Sequence, residues 1–221
     1  MRTPILTALL VASALPALAV DPGSQAHTGF YLSVALGGAN GDVKEDMGAL
    51  GTGTYSGAGF QLDLHVGGAV APNLILSGDF NMRAMSNPSI SGYSEFAGDL
   101  TMVDMLIGVG LTYYIMPANV FVGATVGVAG FGTGNNSNYN SNYNSNYYSN
   151  NDTISSDSGT GWSLRVGKEW RMARRLGLGI VASYTHLTAD SRRNDYPAYY
   201  YPDLPKWSTD RLSLGVSFTF N

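Results

Sequence analysis

RLSLGVSFTF, residues 211–220, places Leu212, Leu214, Val216, Phe218 and Phe220 on one side of an extended backbone and Arg211, Ser213, Gly215, Ser217 and Thr219 on the other. Strict period-two alternation marks a β-strand with two unlike faces. The same pattern recurs in the segments beginning at Phe30, Phe60, Leu74, Val103, Val120, Trp162 and Leu176, so the chain reads as eight strands of roughly ten residues. Alternation alone does not say which face meets solvent. In a soluble sandwich the polar face would carry many lysines and glutamates, yet only 13% of the chain is charged, well under the usual quarter or so. The smaller face is instead rich in Gly, Ser, Thr and Ala, which suits the crowded inside of a narrow barrel. Its bulky aliphatic partner then meets lipid.

The N-terminus agrees with an exported chain. Arg2 supplies a short cationic region, Ile5 to Leu15 an apolar core too short to span a bilayer, and Ala17-Leu18-Ala19 the small-x-small pattern of a cleavage site. Residues 1–19 are therefore read as a signal peptide and residues 20–221 as one barrel domain. With no cysteine, the fold relies on no disulfide. Twelve basic residues against 16 acidic ones argue against a nucleic-acid partner, which would require a basic surface.

Link lengths alternate. Gly68 to Asn73, Ile115 to Asn119 and Arg171 to Arg175 are short, whereas Ala39 to Thr54, Ala84 to Asp99, Gly132 to Gly159 and Leu187 to Thr209 are long. Membrane barrels have short periplasmic turns and long outer loops, so both termini are expected in the periplasm. A membrane tolerates no unpaired strand edge, so the first strand is expected to pair with the eighth. Aromatics suggest two interfacial girdles: Phe30, Tyr113, Tyr114, Phe121, Trp170, Phe218 and Phe220 at the turn end, and Phe80, Phe131, Trp162 and Tyr184 at the other.

The last strand, with Ser213, Gly215, Phe218 and Phe220, resembles the C-terminal signal by which the barrel-assembly machinery recognises outer-membrane proteins. It departs from that signal in placing Asn221 after the final aromatic. Over its whole mature length the chain resembles the small OmpA/OmpX-type superfamily of eight-stranded up-and-down transmembrane barrels. That resemblance implies an all-β fold and an outer-membrane address, but not a role, since its members include adhesins, structural anchors and enzymes.

The inward face carries a charge set: Asp63, His65, Asp79, Arg83, Asp104, Arg165, Glu169 and Arg211. Near balance of sign favours a salt-bridged filling of the lumen over an ion path or an acid–base site. Counting residues from the turns sets Asp63 beside Asp79 with Arg165 across the lumen, and the guanidinium is expected to bridge both carboxylates. The resemblance also raises the lipid A deacylases, barrels that use a His and a Ser two residues on. His186-Leu187-Thr188 comes nearest to that pattern, with Thr for Ser, and Ala189 stands where that family shows a polar residue. No metal-ligand spacing, phosphate loop or cysteine nucleophile is present, so no cofactor is expected.

Two outer loops are candidates for surface contact. Asn-Ser-Asn-Tyr recurs over Asn136 to Tyr147 and brings Tyr139, Tyr143, Tyr147 and Tyr148, a Tyr/Ser/Asn composition typical of adaptable binding surfaces. The last loop offers Tyr199, Tyr200, Tyr201 and Trp207, with Arg192 and Arg193, for lipopolysaccharide phosphates or sugars. The sequence thus points to a non-enzymatic envelope or adhesin-like barrel among outer-membrane lipids and lipopolysaccharide. A narrow pore and a lipid A-modifying enzyme are the alternatives.

Overall fold

The computed structural model describes residues 26–48, 51–92, 100–135, 156–191 and 205–221. The expected signal peptide lies outside them. The strands are β1 (Phe30–Asp46), β2 (Thr52–Ala71), β3 (Leu74–Ser86), β4 (Ser89–Ser91), β5 (Leu100–Ile115), β6 (Val120–Asn135), β7 (Gly159–Ala173), β8 (Leu176–Asp190) and β9 (Lys206–Phe220). All pairings are antiparallel, in the order β1-β9-β8-β7-β6-β5-β3-β2, and the β1–β2 ladder returns the sheet to its start. The three residues of β4 only extend the β2 edge beyond β3. The wall is therefore a closed barrel of eight strands, which leaves no edge unpaired in lipid.

At one end the links are tight. Pro72-Asn73 joins β2 to β3 and Arg174-Arg175 joins β7 to β8. Asn73 and Asn119 hold φ of 64° and 51°, a left-handed conformation that asparagine tolerates better than most residues.

At the other end the strands run further than the sequence reading allowed. They reach 13 to 20 residues, whereas roughly 9–11 cross a bilayer. The link expected from Ala39 to Thr54 shrinks to residues 47–51, because β1 and β2 stay paired without a slip from Phe30↔Gly68 to Asp46↔Thr52. Similarly, β6 runs to Asn135, β8 to Asp190, and β9 begins at Lys206.

The extra length changes its solvent. Outward residues are apolar up to Leu36, Val103, Trp162, Tyr184 and Leu212, and above that level become Asn40, Thr101, Thr160, His186 and Asp210. Inward residues switch the opposite way: above the charge set stand Val43, Met85, Met102, Phe131, Leu187 and Trp207, all buried. At this end, therefore, the barrel is polar outside and apolar inside, since apolar surface is driven away from water.

Candidate functional site

The lumen holds the densest polar chemistry, and small inward residues make the room for it. Gly110 lies against the Asp79 carboxylate and Gly123 against the Arg165 guanidinium, and a Cβ at either position would collide with them. In the layer farther from the tight turns, Asp104 takes Arg83 Nε on Oδ2 at 2.7 Å and Arg211 Nη1 on Oδ1. Arg83 also donates to the Gly41 carbonyl at 3.0 Å and to Thr209 Oγ1 at 3.1 Å. One carboxylate thus serves two guanidiniums, each 1% exposed or less. In the next layer the Asp79 carboxylate stands 2.9 Å from His65 Nδ1 and accepts from Ser77 Oγ at 2.6 Å and Thr125 Oγ1 at 2.5 Å. Arg165 donates to His65 Nε2 and to Thr112 Oγ1, so His65 carries its proton on Nδ1, where it faces Asp79.

The expected double bridge forms on one side only. Arg165 Nη2 stands 4.0 Å from Asp79 Oδ2, while Asp63 is satisfied by Gln61 Nε2 at 2.9 and 3.0 Å and by Asn81 Nδ2 at 2.9 Å. Register explains the difference. The β2–β3 turn centres on Pro72-Asn73 rather than Ala71, so Asp79 pairs with His65 and Asp63 with Asn81. Glu169 sits apart from this network, accepting from Tyr114 OH at 3.1 Å near the turns.

Apolar layers close the network from both sides. Toward the end opposite the tight turns, Trp207 stacks between Tyr55 (6.1 Å, 19°) and Phe131 (6.0 Å, 25°) and donates Nε1–H to Ser191 Oγ at 2.7 Å. Toward the turns, Tyr31, Ala35, Ile75, Tyr114, Phe121 and Val181 form a second cluster. Its mouth is capped by His27, a residue the sequence reading passed over. The backbone N–H of His27 donates to Asn73 Oδ1 at 3.0 Å, Nε2 lies 2.8 Å from Asn119 Oδ1, and Nδ1 meets Asn221 Nδ2. The ring stacks on Tyr114 at 3.7 Å.

Burial and the nearby Arg171 hold His27 below its ordinary pKa of 6.5, with the Asn119 bond opposing them. Because the folded value is the lower one, the cap's stability is complete above that ordinary value and declines as pH falls below it. As pH falls from about 7 to about 5, the amide protection factors of Ala69 and Asn73, which donate to the Gly29 and His27 carbonyls, are expected to fall. An unchanged protection factor would remove the cap from the account.

Other sequence expectations need correction. Trp207, read as a surface contact, is 2% exposed inside the barrel. Tyr114, Phe121 and Phe131 also point inward, so the girdles consist of Phe30, Tyr113, Trp170, Phe218 and Phe220 at one rim and Phe80, Trp162 and Tyr184 at the other. Inward aromatics fill the barrel where the charged filling stops. Tyr139, Tyr143, Tyr147, Tyr148, Tyr199, Tyr200 and Tyr201 lie outside the described residues. In the last strand, Ser213 faces the lumen beside Ser183 while Phe218 and Phe220 face outward.

His186 faces outward, with Nδ1 2.8 Å from Asp210 Oδ1. That acidic partner could have been found from the cross-strand register. The same Asp210 oxygen also accepts from Tyr184 OH at 2.6 Å, and the Thr188 hydroxyl donates to the Thr160 carbonyl at 3.4 Å. The histidine–carboxylate pair is thus present, but the hydroxyl two residues on is directed away from it.

A family model described as outer membrane protein beta-barrel domain matches residues 5–220. No curated protein matches the chain. Among solved structures, OprG from Pseudomonas aeruginosa is similar at 12% identity and a TM-score of 0.52, covering 90% of this chain and 100% of that one. Neisserial surface protein A is similar at 14% and 0.46, over 87% and 98%. Ail, the attachment invasion locus protein of Yersinia pestis, is similar at 16% and 0.45, over 87% and 99%. At these identities the likeness is one of fold.

Proposed function

The chain belongs to the outer membrane protein β-barrel family, and from that premise we propose that it is a non-conducting barrel that acts as an envelope structural or surface-contact protein through its long outer connections. In this reading the tight turns and both termini face the periplasm, and the last strand is the segment offered to the assembly machinery. The observation that carries the proposal is the filling of the lumen: the Asp104 and Asp79 networks lie between the Trp207 cluster and the Tyr114 cluster. An ion crossing the barrel would have to displace packed aromatics and then pass fixed, paired charges. The contact role rests on the Tyr/Ser/Asn composition of residues 136–151.

The test has two readouts on one preparation. Purified barrel in planar bilayers is expected to give no current steps, and steps of stable amplitude would favour the pore. The same protein, screened against host glycans, matrix proteins and lipopolysaccharide, is expected to bind at least one class and to lose that binding when residues 136–151 are deleted. Equal binding by the deleted form would remove that loop from the function.

A further inference from the structure

The turn-end rim holds a cavity of about 370 Å³ between the β7–β8 turn and the start of β1, above the roughly 300 Å³ at which ligand pockets begin. Its lining combines Arg171, Arg174 and Arg175 of the turn hairpin with Phe30, Phe220 and Thr28. No acidic side chain is among its lining residues. Asn221 donates its backbone N–H to the Arg175 carbonyl at 3.1 Å, which ties the turn to the end of β9. Arg174 and Arg175 are exposed and form no ion pair among the described residues.

The walls differ in the way a lipid differs along its length. Phe30 and Phe220 are outward aromatics of the girdle, with ring centroids 6.4 Å apart, and stand where acyl chains begin. The arginines project from the turn beyond them, at the level of headgroups. The same hairpin adds Lys168, which donates to the Ala118 carbonyl at 3.0 Å and lies 5.9 Å from the centre of the Trp170 ring. Cations are thus gathered on one hairpin of this rim, in a chain with a formal net charge of −4. A guanidinium binds a phosphate through paired N–H donors, and a juxtamembrane cation gains further from an anionic lipid surface.

We infer that this cavity is a binding site for the headgroup of an anionic phospholipid, with the phosphate on Arg174 and Arg175 and the upper acyl chain against Phe30 and Phe220. The inference names a lipid of the leaflet at the turn end and therefore builds on the orientation proposed above. In a symmetric bilayer, however, the rim meets the same lipids whichever way the barrel inserts. A failure there speaks against the site and leaves the orientation untouched.

The experiment uses Trp170 as reporter, with Trp162→Phe removing the outer-rim tryptophan while Trp207 stays buried. In symmetric phosphatidylcholine vesicles, phosphatidylglycerol brominated in the upper acyl chain is expected to quench Trp170 as though enriched on the order of ten-fold over equally brominated phosphatidylcholine. Arg174→Ser with Arg175→Ser should bring that ratio close to one. Should the double variant fail to fold, a salt titration of the parent serves instead, and the enrichment should fall as salt rises. Equal quenching by the two lipids, an enrichment indifferent to salt, or one unchanged in the double variant overturns the site. Soluble glycerol phosphate at millimolar concentration should not reverse the quenching. If it does, the cavity recognises a free phosphate ester and the lipid assignment fails.

Discussion

Asp104→Ala is expected to lower stability by about 3–5 kcal/mol, the cost of stranding buried charge without its partner. Asp104 is the carboxylate between Arg83 and Arg211, and none of the three is more than 2% exposed. Removing it leaves two guanidiniums facing each other in a lumen with little water to screen them. The urea midpoint of the barrel refolded in vesicles should fall accordingly, and Asp104→Asn, which keeps the shape but not the charge, should fall nearly as far. If charge is the cause, Asp104→Leu combined with Arg211→Leu should cost less than the sum of the two single changes. A midpoint for Asp104→Ala equal to that of the parent would show that the guanidiniums find other partners.

The Arg165 position, which the sequence favoured as the keystone, is expected to matter less. Asp79 keeps His65, Ser77 and Thr125 when Arg165 is gone, whereas Asp104 is the carboxylate that both Arg83 and Arg211 contact. The sequence showed which charged residues face the lumen, because that depends only on parity along each strand. It could not show which lumen residues touch, because that depends on turn centres and on strand stagger. A shift of the β2–β3 turn by one position exchanged Asn81 for Asp79 as the neighbour of Asp63.

The other failure has a different cause. Periodicity identified strands wherever bulky apolar residues shared the outward face, and it lapsed where Asn40, Asp42 and Lys44 took that face over. Those stretches read as loops, although Val43 and Glu45 continue the inward alternation of Ala35 and Ala39. The sign of the pattern had reversed while the period had not, since only the surrounding solvent changed. The cap residue His27 left no comparable trace: its partners Asn73, Asn119 and Asn221 are remote in sequence, and only the two turn asparagines had a local reason to be noticed.

Trp207→Ala tests that reversal directly. A tryptophan on a surface loop can be removed with little effect on folding, whereas one stacked between Tyr55 and Phe131 leaves a cavity that costs about 3–5 kcal/mol. Trp207→Phe should recover most of this loss, leaving only the Ser191 hydroxyl without its donor, a deficit of roughly 1–3 kcal/mol if the oxygen stays dry. The ordering Ala below Phe below parent in urea midpoint is therefore expected. External binding through residues 136–151 should persist in every variant that folds, because the side chain contributes to the interior rather than to a contact surface. If Trp207→Ala instead keeps the parent's midpoint and loses an external ligand, the side chain belongs to the surface. The strands above the lipid level would then not enclose an apolar core.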